Sequence, residues 1–226
     1  MKIFRNSVAA AIITTIILAL FAIAINGRSA KAAAITPDAV RYEPVTTGIY
    51  NFDPAHTIIG FGVRHLGIAI VEGRFKDFNG TVKYDEKDVT RSTVEFSAKI
   101  ESVDTGVAPR DAHLKTADFF DAAQYPEMRF KSTKVERQGK RLVLTGDLTI
   151  KGVTKQVTLP FSMTGAVKDP WGGTRFGIAA GTTINRRDFG VNFGNIQPSG
   201  ALDVANEVSV ELHIEAVKAA PTAAGK

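Results

Sequence analysis

The feature that most constrains this chain is an alternation of period two. Val94, Phe96, Ala98 and Ile100 point one way, while Thr93, Glu95, Ser97, Lys99 and Glu101 point the other. Successive side chains of a β-strand leave opposite faces, so such a run reads as a strand with one dry and one wet face. The pattern returns at Leu142, Leu144, Gly146, Leu148 and Ile150, at Val157, Leu159, Phe161, Met163 and Gly165, and at Val208, Val210, Leu212 and Ile214. Weaker versions run from Thr57 to His65, Ile70 to Phe75, Thr81 to Asp85, Met128 to Glu136 and Thr174 to Ile184. Turn-forming pairs at Asn79-Gly80, Gln138-Gly139 and Gly172-Gly173 separate them. About eight strands result if Ile70 to Asp85 is one bent strand.

Strands with one dry face must close into a barrel or stack as a sandwich. Two features favour the barrel: several runs reach ten or more residues, and Gly60, Gly62, Gly73, Gly177 and Gly181 fall inside strands, where a closed sheet bends sharply. The expected fold is all-β, an eight-stranded antiparallel β-barrel. The exception is Pro109 to Tyr125, where Pro109 opens a helical spacing of Arg110, His113, Leu114 and Ala117, and Pro126 ends it. One or two short helices are expected there, as a lid over one mouth.

The N-terminus reads as an export signal. Lys2 and Arg5 precede an apolar run from Val8 to Ile25, followed by Asn26, Gly27 and Arg28, then Ala30-Lys31-Ala32 as a small-x-small cleavage site. An uncleaved anchor is the alternative, because the run is only slightly short of the roughly 20 residues a spanning helix needs. The expected organisation is a signal peptide at 1–33, a flexible leader at 34–48, one barrel domain at 49–218 and a flexible tail at 219–226. Removing Lys2, Arg5, Arg28 and Lys31 from the 28 Lys and Arg leaves 24 against 23 Asp and Glu, so the net charge falls from +5 to +1. Without a clustered basic face, nucleic-acid binding is not expected. The chain has no Cys, which excludes disulfides and a lipid on an N-terminal cysteine.

Six segments, "DPAHTIIGFGVRH", "VEGRFKDFNGTV", "RDAHLKTADFFDAAQYPEMRFKS", "LTGDLTIKGVTKQVTLPF", "INRRDFGVNFG" and "VANEVSVELHIEA", resemble the YceI-like family in that order, over Tyr50 to Val217. Two departures are Gln156, where the family often has Pro, and the lack of a Trp near Tyr50 and Phe52. The resemblance implies a lipocalin-like barrel that binds a polyisoprenoid, such as a prenyl quinone or prenyl diphosphate, in the periplasm of a Gram-negative bacterium. It also implies a link to stress and to trapping lipophilic antibiotics. Pairing into a homodimer and a transient contact with membrane fit the same reading.

The apolar lining of such a cavity would come from the dry faces: Ile59, Phe61, Val63, Phe75, Phe96, Phe130, Leu144, Leu148, Phe161, Met163, Phe176, Ile178 and Leu212. An ordinary packed core is the alternative, since an eight-stranded barrel is just wide enough to fill itself or to hold one small ligand. For a polar head group the candidates are His65, Arg110, His113, Arg186 and Asp188. Arg holds a diphosphate through paired hydrogen bonds and His donates to a quinone oxygen. The competing roles are an ion pair or turn anchor for Arg186 and Asp188, and a helix start for Arg110 with Asp111. His56, after Pro54-Ala55, suits a turn. The four His residues show no metal-ligand spacing, and neither a nucleophile elbow, a phosphate-cradling loop nor a dinucleotide fingerprint is present. Asp118 and Asp121 read as an exposed acidic face rather than a catalytic pair. A carrier without cofactor is expected; an enzyme using His65 or His113 as acid or base on a lipophilic substrate is the rival.

Overall fold

A computed structural model describes residues 40–220. The apolar N-terminal run, the start of the leader and the end of the tail lie outside the described residues. The alternating runs become eleven strands: β1 (Gly48–Phe52), β2 (Ile58–His65), β3 (Ala69–Phe75), β4 (Phe78–Tyr84), β5 (Thr93–Lys99), β6 (Val103–Asp104), β7 (Glu127–Gln138), β8 (Arg141–Ile150), β9 (Val153–Lys168), β10 (Thr174–Asn185) and β11 (Val204–Lys218). One α-helix, α1 (Ala108–Leu114), lies between β6 and β7.

All pairings between strands are antiparallel, and the order β1-β4-β5-β7-β8-β9-β10-β11 is closed by a β1–β11 pairing, which makes an eight-stranded barrel. The three extra strands are continuations. β2 pairs with β11 above β1, β3 pairs with β2 above β4, and β6 pairs with β3 above β5. Ile70 to Asp85 is thus one bent strand, but its bend is at Lys76 and Asp77, not at Asn79-Gly80. Gly80 sits inside β4 opposite Phe96, and a Cβ there would stand 2.2 Å from the ring of Phe52. The glycine seats an aromatic ring instead of making a turn. β9 and β10 pair only from Phe161 to Lys168 against Ala180 to Thr174, with a bulge that shifts the register between Phe176 and Ile178. Towards the opposite end, Val153 to Pro160 pairs with β8 and Gly181 to Asn185 with β11.

The barrel has two unlike ends. At one, Tyr50 is 0% and Phe176 2% exposed, their rings edge to face at 4.8 Å, and the Tyr50 hydroxyl donates to the Thr46 carbonyl at 2.8 Å. Phe176 is flanked across the sheet by Ala166 and Ala216, whose small side chains leave room for the ring. The leader contributes here, so its described part is not the loose segment expected: Glu43 bridges Ala166 through both backbone bonds, and Val45 is buried. An apolar valine docks where the plug leaves a place for it.

Arg175 ties this end together. Its Nη1 donates to Asp53 and, at 2.6 Å, to Glu215, and its Nε donates to Asp169 at 2.5 Å. His56 hydrogen-bonds Asp53 at 2.9 Å and, with the Ala55 amide and Arg175, holds the Asp53 carboxyl at about 2, below its ordinary 3.8. Asp53 and Glu215 in turn raise His56 above 6.5. A lowered carboxyl pKa contributes stability present above pH 3.8 and lost as pH falls towards 2; a raised imidazole pKa contributes stability present below pH 6.5 and lost as pH rises past its folded value. Removing the guanidinium leaves Asp53, Asp169 and Glu215 without their shared cation, a crowding that protonation relieves. Arg175→Ala is therefore expected to cost about 3 kcal/mol near pH 7. It should regain stability as pH is lowered to about 4.5, where the parent gains none from Asp53. Urea unfolding across that range measures the change of slope.

Candidate functional site

The other end of the barrel opens into a cavity of about 350 Å³, within the 300–1,000 Å³ span of small-molecule sites. Its walls are the inward positions of the alternating strands. Ile59, Phe61, Val63, Phe75, Phe96, Phe130, Leu144, Leu148, Phe161, Met163, Ile178 and Leu212 all face it. Phe61, Phe96, Phe161, Met163 and Ile178 point inward yet are only partly buried, because the space they face is empty. A packed barrel of this width would leave no such surface. Phe176 departs from the expectation: it is behind the wall, in the plug against Tyr50 and Tyr84.

The insert between β6 and β7 covers this end. Pro109 lies in the first turn of α1, consistent with a proline that needs no helical N–H partner, and the helix stops at Leu114. Only one helix forms; the rest, to Tyr125, is turns. Phe119 and Ala122 are buried, Leu114 and Phe120 reach the cavity, and Phe120 meets Phe75 edge to face at 5.8 Å. The Lys151 ammonium of the β8–β9 turn donates to the Ala117 carbonyl at 2.7 Å, pinning the insert from the far side.

Four of the polar candidates gather at this mouth: His65, Arg110, His113 and Arg186 all border the cavity. Asp188 does not; it is exposed in the 3₁₀ turn Arg186–Phe189 and faces away. Arg110 is tethered, its Nε donating to Thr105 Oγ1 at 2.7 Å and its Nη2 to the Thr105 carbonyl at 2.8 Å, while Asp111 accepts from the Thr105 amide at 2.9 Å. His113 Nε2 is 2.9 Å from Asp118, and the ring meets Phe119 and Phe193 edge to face at 5.0 and 4.8 Å.

Arg186 is the most unusual of the four. It is 6% exposed, and its fork donates to the carbonyls of Val191 at 2.7 Å, Ala205 at 2.8 Å and Val204 at 2.9 Å. Among the described residues no carboxylate pairs with it. Loss of hydration lowers its pKa, yet guanidinium stays charged, so with Arg110, which also forms no ion pair among the described residues, it leaves two unneutralised positive charges at the mouth of the apolar cavity. The sequence reasoning missed Phe119, Phe120, Phe189 and Val191 on the wall, since they stand in turns where no period marks an inward face. At the plugged end, Asp53, His56 and Glu215 bring ligand-type atoms within 4.8 Å of one another. Arg175 already supplies the positive charge that those carboxylates balance.

The sequence profile of the YceI-like domain matches residues 50–216. The chain is 41% identical over 165 residues to a UPF0312 protein of Vibrio parahaemolyticus, covering 73% of this chain and 83% of that one. It is 45% identical over 136 residues to the protein YceI of Escherichia coli O157:H7, covering 60% and 71%. Among solved structures, the Campylobacter jejuni YCEI protein superposes with a TM-score of 0.60 at 31% identity, covering 70% of this chain and 90% of that one. A polyisoprenoid binding domain from Saccharophagus degradans shares the fold, with a TM-score of 0.58 at 13% identity over 77% of this chain and all of that one. With the barrel, the insert and the profile in agreement over the whole of the described domain, the chain belongs to the YceI-like family.

Proposed function

We propose that this protein is a periplasmic carrier that holds a long-chain polyisoprenoid, of the prenyl quinone or prenyl diphosphate type, in the barrel interior without turning it over. The observation that carries this reading is the apolar cavity of about 350 Å³ behind a mouth bordered by His65, Arg110, His113 and Arg186. Each buried CH₂ is worth about 0.8 kcal/mol, so a few isoprene units offset an association cost of roughly 4–15 kcal/mol with no special chemistry. The head then rests at the mouth, where Arg186 attracts a diphosphate and the histidines supply donors to a quinone oxygen. The Saccharophagus degradans domain, named for polyisoprenoid binding, supports the class of cargo through its shared fold. The export signal supports the compartment, and both roles, storage and transport, suit a protein with an apolar site of this kind.

Native mass spectrometry of protein purified from the exported fraction tests this. A bound prenyl lipid at up to one per chain is expected, returned unchanged in mass after prolonged incubation. Protein that is repeatedly empty and that takes up no prenyl quinone sinks the carrier; a bound lipid of altered mass replaces it with an enzyme.

A further inference from the structure

Eleven large apolar side chains are exposed among the described residues; Val40, Tyr42, Ile49, Ile58 and Trp171 stand away from the cavity mouth, and the other six gather around it. Ile68 is 80%, Ile196 72% and Ile70 57% exposed, and Val107, Phe193 and Val153 are also exposed; all six belong to the loops and strand ends at the cavity mouth. The segments that carry Ile68 and Ile196 are joined by the backbone. The Leu66 amide donates to the Asp203 carbonyl at 3.2 Å, and the hairpin that carries Ile196 is held by its bridge to Leu202 and by the Asp203 amide on the Asn195 carbonyl at 3.0 Å. Ile70 lies opposite Arg64 on the outer face of the same β2–β3 hairpin. On the other side of the mouth, Phe193 is tilted against Phe119 with ring centroids 4.7 Å apart, beside the insert whose helix begins just after Val107.

Soluble proteins rarely leave a contiguous apolar rim without a use for it. We infer that this rim is a docking surface for a phospholipid bilayer, onto which the mouth seats so that cargo passes between membrane and cavity without crossing water. The inference rests on the carrier reading for its purpose, though docking itself is measured without cargo. Three observations select a bilayer. The rim adjoins residues that line the apolar cavity: Ile68 and Ile70 lie between His65 and Val71 on the β2–β3 hairpin, and Phe193 packs on Phe119. The aliphatic groups stand on loop tips, where they reach a few ångströms into a head-group layer. Arg64 and Arg187 are exposed beside them and form no ion pair among the described residues, whereas Asp203 is turned into its own loop by the Asn195 amide and Gln197. Glu72 and Asp188 oppose them, leaving attraction to anionic lipid modest and the aliphatic groups dominant. A second copy of the chain would need about 800 Å² and 20 to 30 residues on each side, more than two loop tips present.

The chain carries its own reporters. It has no Cys and a single Trp, and that Trp171 is 82% exposed in the β9–β10 turn, at the plugged end. An environment-sensitive fluorophore on Ile68→Cys is expected to brighten and shift to the blue when the full chain meets vesicles of neutral phospholipid with one-fifth phosphatidylglycerol. Trp171 emission should stay in place. The variant Ile68→Ser with Ile70→Ser and Ile196→Ser should bind vesicles at least about tenfold more weakly by co-sedimentation of the exported, processed protein, and still load prenyl quinone added in detergent. Because these positions are in water, its thermal unfolding should match the parent, which separates docking from folding. A fluorophore at position 68 that stays in water overturns the inference, as does a Trp171 shift in its place. Blue-shifting that tracks protein concentration without vesicles assigns the rim to a second copy instead. If docking is seen but no lipid is ever carried, the carrier reading fails and the docking surface stands.

Discussion

Replacing Ala180 and Val210 by phenylalanine is expected to abolish lipid loading while leaving the barrel folded. Ala180 faces the cavity between its cross-strand neighbours Leu212 on β11 and Phe161 on β9, and Val210 faces it between Thr182 and Phe61. Two added rings occupy space that only cargo otherwise fills, and each buries on the order of 150–250 Å² of its own surface. In a packed core the same change would cost about 1–3 kcal/mol from overpacking. Here it fills a void, so the lipid-free variant should unfold at or above the temperature of the lipid-free parent. Cargo at a hundred times its dissociation constant stabilises the parent by about 2.7 kcal/mol, and the variant should gain nothing from added prenyl quinone. Native mass spectrometry and thermal unfolding with and without quinone read both effects. A variant that still carries lipid at the parent's stoichiometry places the cargo outside the barrel.

That experiment addresses what was hardest to read from sequence. Period two identified the strands and assigned inward faces correctly along β5, β8 and β11 and along β9 as far as Met163, beyond which a bulge turns Ala166 inward instead of Gly165, because alternation records which side of a strand is dry. It does not record whether a dry side meets another side chain or an empty space. Phe176 and Phe161 look alike in the sequence, an aromatic on the dry face of a long strand, yet one plugs the barrel against Tyr50 and the other borders the cavity. The difference lies in their neighbours across the sheet: Ala166 and Ala216 flank Phe176, and register between strands far apart in sequence decides that. The same limit hid the Arg175 cluster, whose acids come from residues 53, 169 and 215. Asn79-Gly80 misled for a local reason, since Asn-Gly reads as a turn and only the ring of Phe52 shows that the glycine makes room inside a strand. The insert was visible as a break in the alternation bounded by two prolines, but its buried phenylalanines had no period to announce them.

Arg186 is where the sequence left two roles open, turn anchor and head-group ligand, and the structure gives a way to separate them. Asn185 begins the motif by accepting from the Arg187 amide at 3.0 Å, and Gly190, at φ 74°, ends the 3₁₀ turn in the left-handed region that favours glycine. The Arg186 side chain then reaches back to clamp Val191 on one side and Val204 and Ala205 on the other, the two ends of the loop that carries Phe193 and Ile196. Arg186→Met keeps most of the volume but leaves three carbonyls without donors. Those charge-assisted bonds are worth about 1.5–3 kcal/mol each, against several kcal/mol recovered by no longer burying an unpaired cation. The bonds prevail because each acceptor is itself left unsatisfied, and a net loss of about 3 kcal/mol is expected. Amide exchange should quicken across Val191 to Asp203 and little elsewhere, and prenyl quinone should leave faster through the loosened mouth. If Arg186 were chiefly a head-group ligand, the same variant would keep its stability and its hold on a neutral quinone, and would lose affinity only for a prenyl diphosphate. Measuring exchange, quinone release and diphosphate affinity on one preparation tells the clamp from the ligand, because the clamp moves the first two together and the ligand moves the third alone.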